Sequence, residues 1–190
     1  MTTLAPTLYT RTFPRIAGWL RDLTLIVLGA LFVAVLAQVK IPLPFTPIPL
    51  TGQTFAVLLV AAALGSKRGA ATMAFYIALG AFGLPAFAGG ASGMAYLSGA
   101  TLGYLIGFVL AAYVVGLLAE RGLERSARTS LVPFLVGTVI IYACGVAWLT
   151  IVLGSFSKAV AAGFTPFVIG DAIKLVAASL ALPAAWKLAK

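Results

Sequence analysis

Six apolar runs, separated by short charged or Pro/Gly-rich stretches, constrain this chain more than any single motif. They cover residues 23–39, 53–65, 69–84, 101–119, 131–153 and 166–188. A helix rises 1.5 Å per residue, so about 20 apolar residues cross a hydrocarbon core of ~30 Å. Four runs reach or approach that length. The second and third are short for a span and need cover from neighbours, or from loops that dip into the membrane. Membrane strands alternate polar and apolar residues, which these runs do not. Helices, which satisfy their backbone internally, are therefore expected. Hydrophobic residues make up 62% of the chain and charged residues 9%, against roughly 45–50% and about 25% in soluble domains. So few charges cannot cover a water-facing surface. A soluble enzyme, a disordered tail and a nucleic-acid-binding module are set aside, and the expected class is an all-α membrane protein with six transmembrane helices.

The net charge of +9 belongs to topology in such a chain. Arg11, Arg15, Arg21, Lys67, Arg68, Arg121, Arg125, Arg128, Lys187 and Lys190 fall on one side of the six runs; Lys40 and Lys158 fall on the other; Lys174 lies inside the sixth. Basic residues collect on the cytoplasmic side, so both termini are expected there. Residues 1–22 form a cytoplasmic N-terminal segment and 23–190 the membrane domain. The first run is long for the core of a signal peptide and no Ala-x-Ala site follows it, so it is expected to stay as a helix. The external connections are nearly uncharged and apolar: four prolines between Lys40 and Gly52, a Gly-rich stretch from Gly83 to Gly99, and Gly154 to Thr165. The prolines favour a stiff, extended first connection. Re-entrant loops folded over the bundle are expected, since non-helical backbone is tolerated where it is buried in protein or lines a cavity.

Several chemistries are excluded by residue type. With one cysteine and no histidine, an internal disulfide, a multi-Cys metal site and a His-based triad or relay are impossible. No Gly-x-x-x-x-Gly-Lys-Ser/Thr segment exists, so any ATP that drives the protein must be hydrolysed by another subunit. No cofactor and no metal are expected.

Asp171 and Lys174 are the sharpest feature. They lie three residues apart on one helix face. An ion inside the bilayer costs from roughly 2.5 kcal/mol upward and usually faces the bundle interior at a functional position. Thr165-Pro166 reads as a cap and first helical residue, which puts the pair one to two turns in, beneath the external connections. Such a pair anchors a small ligand: the ammonium takes an anionic or carbonyl oxygen, the carboxylate takes N–H donors. Its plainer reading is an internal ion pair reaching to water. Gly89 and Gly90 allow close backbone approach, to a ligand or to a helix. Ala30 and Ala34 form a small-xxx-small pattern that lets another helix come near, within the bundle or from a partner.

Four segments together, Pro47-Ile-Pro-Leu-Thr-Gly-Gln-Thr54, Gly83-Leu-Pro-Ala-Phe-Ala-Gly-Gly90, Leu97-Ser-Gly-Ala-Thr-Leu-Gly-Tyr-Leu-Ile-Gly-Phe108 and Gly170-Asp-Ala-Ile-Lys174, resemble the BioY family, the biotin-binding S components of energy-coupling factor (ECF) transporters. Ser92, Ala100 and Leu102 stand where the family pattern has Gly, Pro and Gly. The resemblance implies a six-helix S component in the bacterial cytoplasmic membrane that captures biotin from outside, with Asp171 and Lys174 at the ligand. It extends the site to Gln53, Gly89, Gly90, Tyr96, Thr101 and Tyr104, whose amide, backbone, hydroxyl and aromatic groups suit a ureido ring and an apolar chain. It makes Ala30 and Ala34 the contact with a transmembrane coupling subunit, which works with two ATPase subunits. The alternative is an ion-coupled secondary transporter of a small vitamin-like substrate, with Asp171 carrying a proton. An enzyme is not expected, because no Ser/His or Cys/His set is present. A purely structural subunit would leave the Asp–Lys pair unexplained.

Overall fold

The computed structural model describes residues 3–188. Lys190 and the two chain ends, all expected on the basic side, lie outside them. The chain runs α1 (Leu4–Thr12), α2 (Gly18–Gln38), β1 (Lys40–Ile41), β2 (Leu50–Thr51), α3 (Gln53–Leu64), α4 (Ser66–Ala81), α5 (Met94–Leu97), α6 (Leu102–Glu120), α7 (Ala127–Leu153), α8 (Phe156–Gly163) and α9 (Val168–Leu188), with 3-10 turns at Leu123–Arg125 and Thr165–Phe167. A helix occupies each of the six apolar runs. Four stretches are long and apolar enough to cross a membrane: Gly18–Gln38, Leu102–Glu120, Ala127–Leu153 and Phe156–Lys187. α3 and α4 have 12 and 16 residues.

α6 is the most buried of the four and packs against α3, α4 and α7. Small residues permit this. At Gly107 a Cβ would stand 2.9 Å from Ile141 Cα on α7, closer than packed carbons approach. α3 and α4 are joined by Gly65 alone, at φ 85°, a conformation that only glycine adopts without strain.

Several boundaries differ from the sequence expectation. α2 begins at Gly18 rather than residue 23. α7 begins at Ala127 rather than 131, because the Ser126 hydroxyl accepts the Thr129 N–H at 3.3 Å and caps the first turn. Thr165 does not cap α9: it opens a 3-10 turn, and its hydroxyl donates to the Val160 carbonyl at 3.3 Å. The first connection is not simply extended. It folds into an antiparallel hairpin that pairs Lys40 with Thr51 and Ile41 with Leu50. Prolines, which lack the N–H a ladder needs, limit the pairing to two residues per strand. The third connection contains α8, whose first turn is capped by the Ser155 hydroxyl accepting the Lys158 N–H at 3.4 Å.

The end of the bundle that carries the N-termini of α2 and α4 has its own polar contacts. Arg68 donates to Asp22 through Nε (2.9 Å) and Nη2 (3.3 Å), tying α4 to α2, and Arg21 adds a third bond at 3.0 Å. Glu120 accepts the Ser66 N–H and hydroxyl, both at 2.8 Å, and thereby caps α4 from the end of α6. Glu124 is fully buried, and neither carboxylate oxygen has a hydrogen-bond donor among the described residues. Arg125 Nε lies 3.8 Å away, with its guanidinium 4.9 Å above the Trp186 ring. Burial pushes the Glu124 carboxyl above its ordinary range.

Candidate functional site

Asp171 and Lys174 occupy the first two turns of α9, at the opposite end of the bundle. Their one-turn spacing brings Lys174 Nζ to 2.8 Å from Asp171 Oδ1. The ammonium also donates to the Thr51 carbonyl at 2.6 Å and the Thr54 hydroxyl at 3.2 Å. Thr54 donates to Asp171 Oδ1 at 3.2 Å, and Tyr142 of α7 donates to Oδ2 at 2.5 Å. The hairpin, α3, α7 and α9 thus meet at one ion pair, the hairpin at its ammonium and α3 and α7 at its carboxylate. The Asp171 side chain is 8% exposed and that of Lys174 20%. Buried ions are tolerated when paired and hydrogen-bonded, and both conditions hold.

Beside this network lies a cavity of about 60 Å³. Ile48, Pro49 and Leu50 of the first connection close one side; Leu105, Phe108, Ile141 and Phe167 supply apolar walls. Six of the expected site residues line it: Gln53, Tyr96, Thr101, Tyr104, Asp171 and Lys174. Gln53 is held at both ends of its amide, donating to Tyr76 Oη at 2.7 Å and accepting from the Thr51 hydroxyl at 3.0 Å. Tyr104 donates to the Gly163 carbonyl at 2.7 Å. The Tyr96 ring stacks on Phe87 with centroids 4.7 Å apart, and burial pushes its phenol up, so it stays neutral.

Gly89 and Gly90 are not in the lining. Their φ values of 69° and 78° turn the chain, and the Gly89 N–H donates to the Ala37 carbonyl at 3.2 Å. A Cβ at Gly89 would run into the Lys40 side chain. The close approach they permit is therefore to the C-terminal end of α2. Ala30 is fully buried and Ala34 half-buried. A Cβ at the adjacent Gly29 would meet Thr72 and Val60, so this stretch of α2 packs on α3 and α4. Within the chain Ala30 keeps no exposed surface and Ala34 keeps part of its own.

Three network members were not foreseen: Thr51, Thr54 and Tyr142. The threonines lie inside the quoted segment that ends at Thr54. Tyr142 left a fainter signal, one phenol in a run of aliphatic and small residues. Among the described residues no group of three or more His, Cys, Asp or Glu is placed to hold a metal. The arrangement offers one carboxylate, one ammonium, an amide and hydroxyls around an apolar void, which suits recognition of a small, partly polar molecule.

A family model described as the BioY family matches residues 5–190. The biotin transporter BioY of Thermotoga maritima is 46% identical over 140 residues, covering 74% of this chain and 82% of that protein. The biotin transporter BioY of Rhizobium etli is 37% identical over 172 residues, covering 84% and 90%. The fold is similar to the crystal structure of an S component for biotin from an ECF-type ABC transporter. That likeness has a TM-score of 0.81 at 23% identity and covers 90% of this chain and 95% of that one.

Proposed function

The chain belongs to the BioY family, and we propose that it is the biotin-binding subunit of an ECF-type uptake system. It is an integral membrane protein, with relatives named as transporters. The observation that carries the reading is the Asp171–Lys174 pair: its two charges are fully partnered, yet they line a cavity with apolar walls. Biotin complements that arrangement. Its ureido N–H groups suit Asp171, an oxygen of the ureido group or the carboxylate suits Lys174, and its thiophane ring and aliphatic chain suit Leu50, Leu105, Phe108 and Phe167. The described cavity is small beside the ~300–1,000 Å³ of ordinary ligand sites, so binding entails an opened form.

The topology that supports this role has six helices crossing the cytoplasmic membrane, both termini on the basic side, and the site beneath the external connections. α3 and α4, too short to span alone, are covered by their neighbours. The chain has no phosphate-binding loop. Energy for release inward comes from two ATPase subunits through a transmembrane coupling subunit, and the chain itself uses no cofactor. With Ala30 buried, that subunit meets outward-facing residues of α2 such as Leu31 and Val35.

Calorimetry on the purified chain in lipid tests the site. Asp171→Asn and Lys174→Ala should each weaken biotin at least a hundredfold, about 2.7 kcal/mol, while the unfolding midpoint moves by only a few degrees. Wild-type affinity in both variants would refute the assignment.

A further inference from the structure

Tyr142 stands between two voids. On one side is the polar cavity of about 60 Å³; on the other is an apolar groove of about 580 Å³ between α7 and α9, lined in part by Thr138, Ala143, Phe164 and Ala172. Tyr142 and Asp171 line both. A bicyclic ligand does not fit the smaller void, so some wall must yield. Several of the polar and aromatic walls are tied. Lys174 holds the hairpin through Thr51, Gln53 is bonded at both ends, Tyr104 is fixed to Gly163, and Tyr96 is stacked on Phe87. Asp171 is held by three partners, whereas the Tyr142 ring backs onto the groove, which opens between α7 and α9 on the membrane-facing side, where acyl chains yield more readily than packed helices. Its ring meets Phe164 edge-on at 4.9 Å, and Phe164 also lines the groove.

The hydrogen bonds permit such a move. Asp171 divides its partners: Oδ1 takes Lys174 and Thr54, while Oδ2 takes Tyr142 alone among the described residues. A ligand N–H arriving at Oδ2 replaces one donor with another, so no buried acceptor is orphaned. The groove also offers the displaced hydroxyl a candidate acceptor, since Thr138 lines it. Helical side chains point back toward the residue three or four positions earlier, and Thr138 is four positions back. The Thr138 hydroxyl gives its proton to the Phe134 carbonyl at 2.9 Å, which leaves its oxygen lone pairs available.

We propose that Tyr142 is the movable wall that sizes the site: when the ligand enters, the ring swings into the α7–α9 groove and its hydroxyl exchanges Asp171 for Thr138. Tyr142 is thus a positioning residue whose displacement makes room for a bicyclic ligand. The inference rests on the biotin reading above.

The test fills the groove. Ala143→Trp and Ala172→Phe act from opposite walls at exposed positions outside the cavity. Both are made in the full chain, in phosphatidylcholine nanodiscs, and biotin affinity is read by calorimetry beside the unfolding midpoint. Each should weaken biotin at least tenfold with the midpoint unchanged. Tyr142→Phe keeps the ring but deletes the bond the ligand must displace, and should bind several times more tightly. Unweakened binding in both groove variants overturns the movable wall and leaves the biotin reading standing, as does a tenfold loss in Tyr142→Phe, which would make the hydroxyl a direct ligand contact. Wild-type protein that binds no biotin brings down the ligand reading, and the wall with it.

Discussion

At one end of the bundle Lys174 divides its protons among a backbone carbonyl, a hydroxyl and Asp171; at the other, Asp22 receives Arg21 and Arg68 side by side. Both are charge clusters that join helices, but their surroundings differ. The Asp171 side chain is 8% exposed beside a cavity with apolar walls, whereas that of Asp22 is 38% exposed. A water-exposed ion pair contributes at most about 1 kcal/mol to stability. A buried one is held by every bond it makes, and removing one partner leaves a group that needs another. The lesson is that a buried cluster can lose a partner only by gaining another, while the more exposed one fastens two helices. Glu124 shows the third case: buried beside Arg125, with no hydrogen-bond donor among the described residues, and held at a cost.

The contrast can be broken in three further ways. The largest effect belongs to Thr54, which both donates to Asp171 and accepts from Lys174. Thr54→Val should weaken biotin about tenfold, ~1.4 kcal/mol, in a titration of the purified chain; undiminished affinity would make Thr54 a bystander. Next comes Glu124. Because burial raises its carboxyl in the folded state, folding favours the protonated form. The handicap is absent below the unfolded-state value and grows as pH rises from there toward the folded-state value. Glu124→Gln should therefore raise the unfolding midpoint by a few degrees at pH 7.5 and leave it unchanged at pH 4, with biotin affinity unaffected. A midpoint that falls at pH 7.5 would mean the ionised carboxylate is held by a partner. The smallest effect is expected for Arg68→Ala, under about 1 kcal/mol of stability with wild-type biotin affinity. A loss of binding there would tie the two ends together and dissolve the distinction.

Much of the helical layout was legible because long apolar runs announce helices whatever packs around them. Asp171 and Lys174 were legible for the converse reason: charge stands out in such a background. What stayed hidden depends on partners that a one-dimensional pattern does not name. The shortest bond of Lys174 goes to the Thr51 backbone carbonyl, a group that every residue type carries. The hairpin was masked by four prolines that suggest extension without showing that two residues on each side pair. Ala30 signalled close helix approach but not which helix, and the nearer neighbours within the chain claimed it. Gly89 and Gly90 signalled a backbone conformation, and the Lys40 side chain and the end of α2, rather than the cavity, explain it. Tyr142 lay in a run read only for its hydrophobicity, so its phenol passed without notice.

The brevity of α3 has a consequence for how the bundle faces lipid. Its 12 residues reach about 18 Å, well short of a ~30 Å hydrocarbon slab. None of its residues is exposed, because α2, α4, α6 and α9 pack around it. The longer helices therefore stand between this short one and the acyl chains, and the bilayer keeps its full thickness without deforming to meet it.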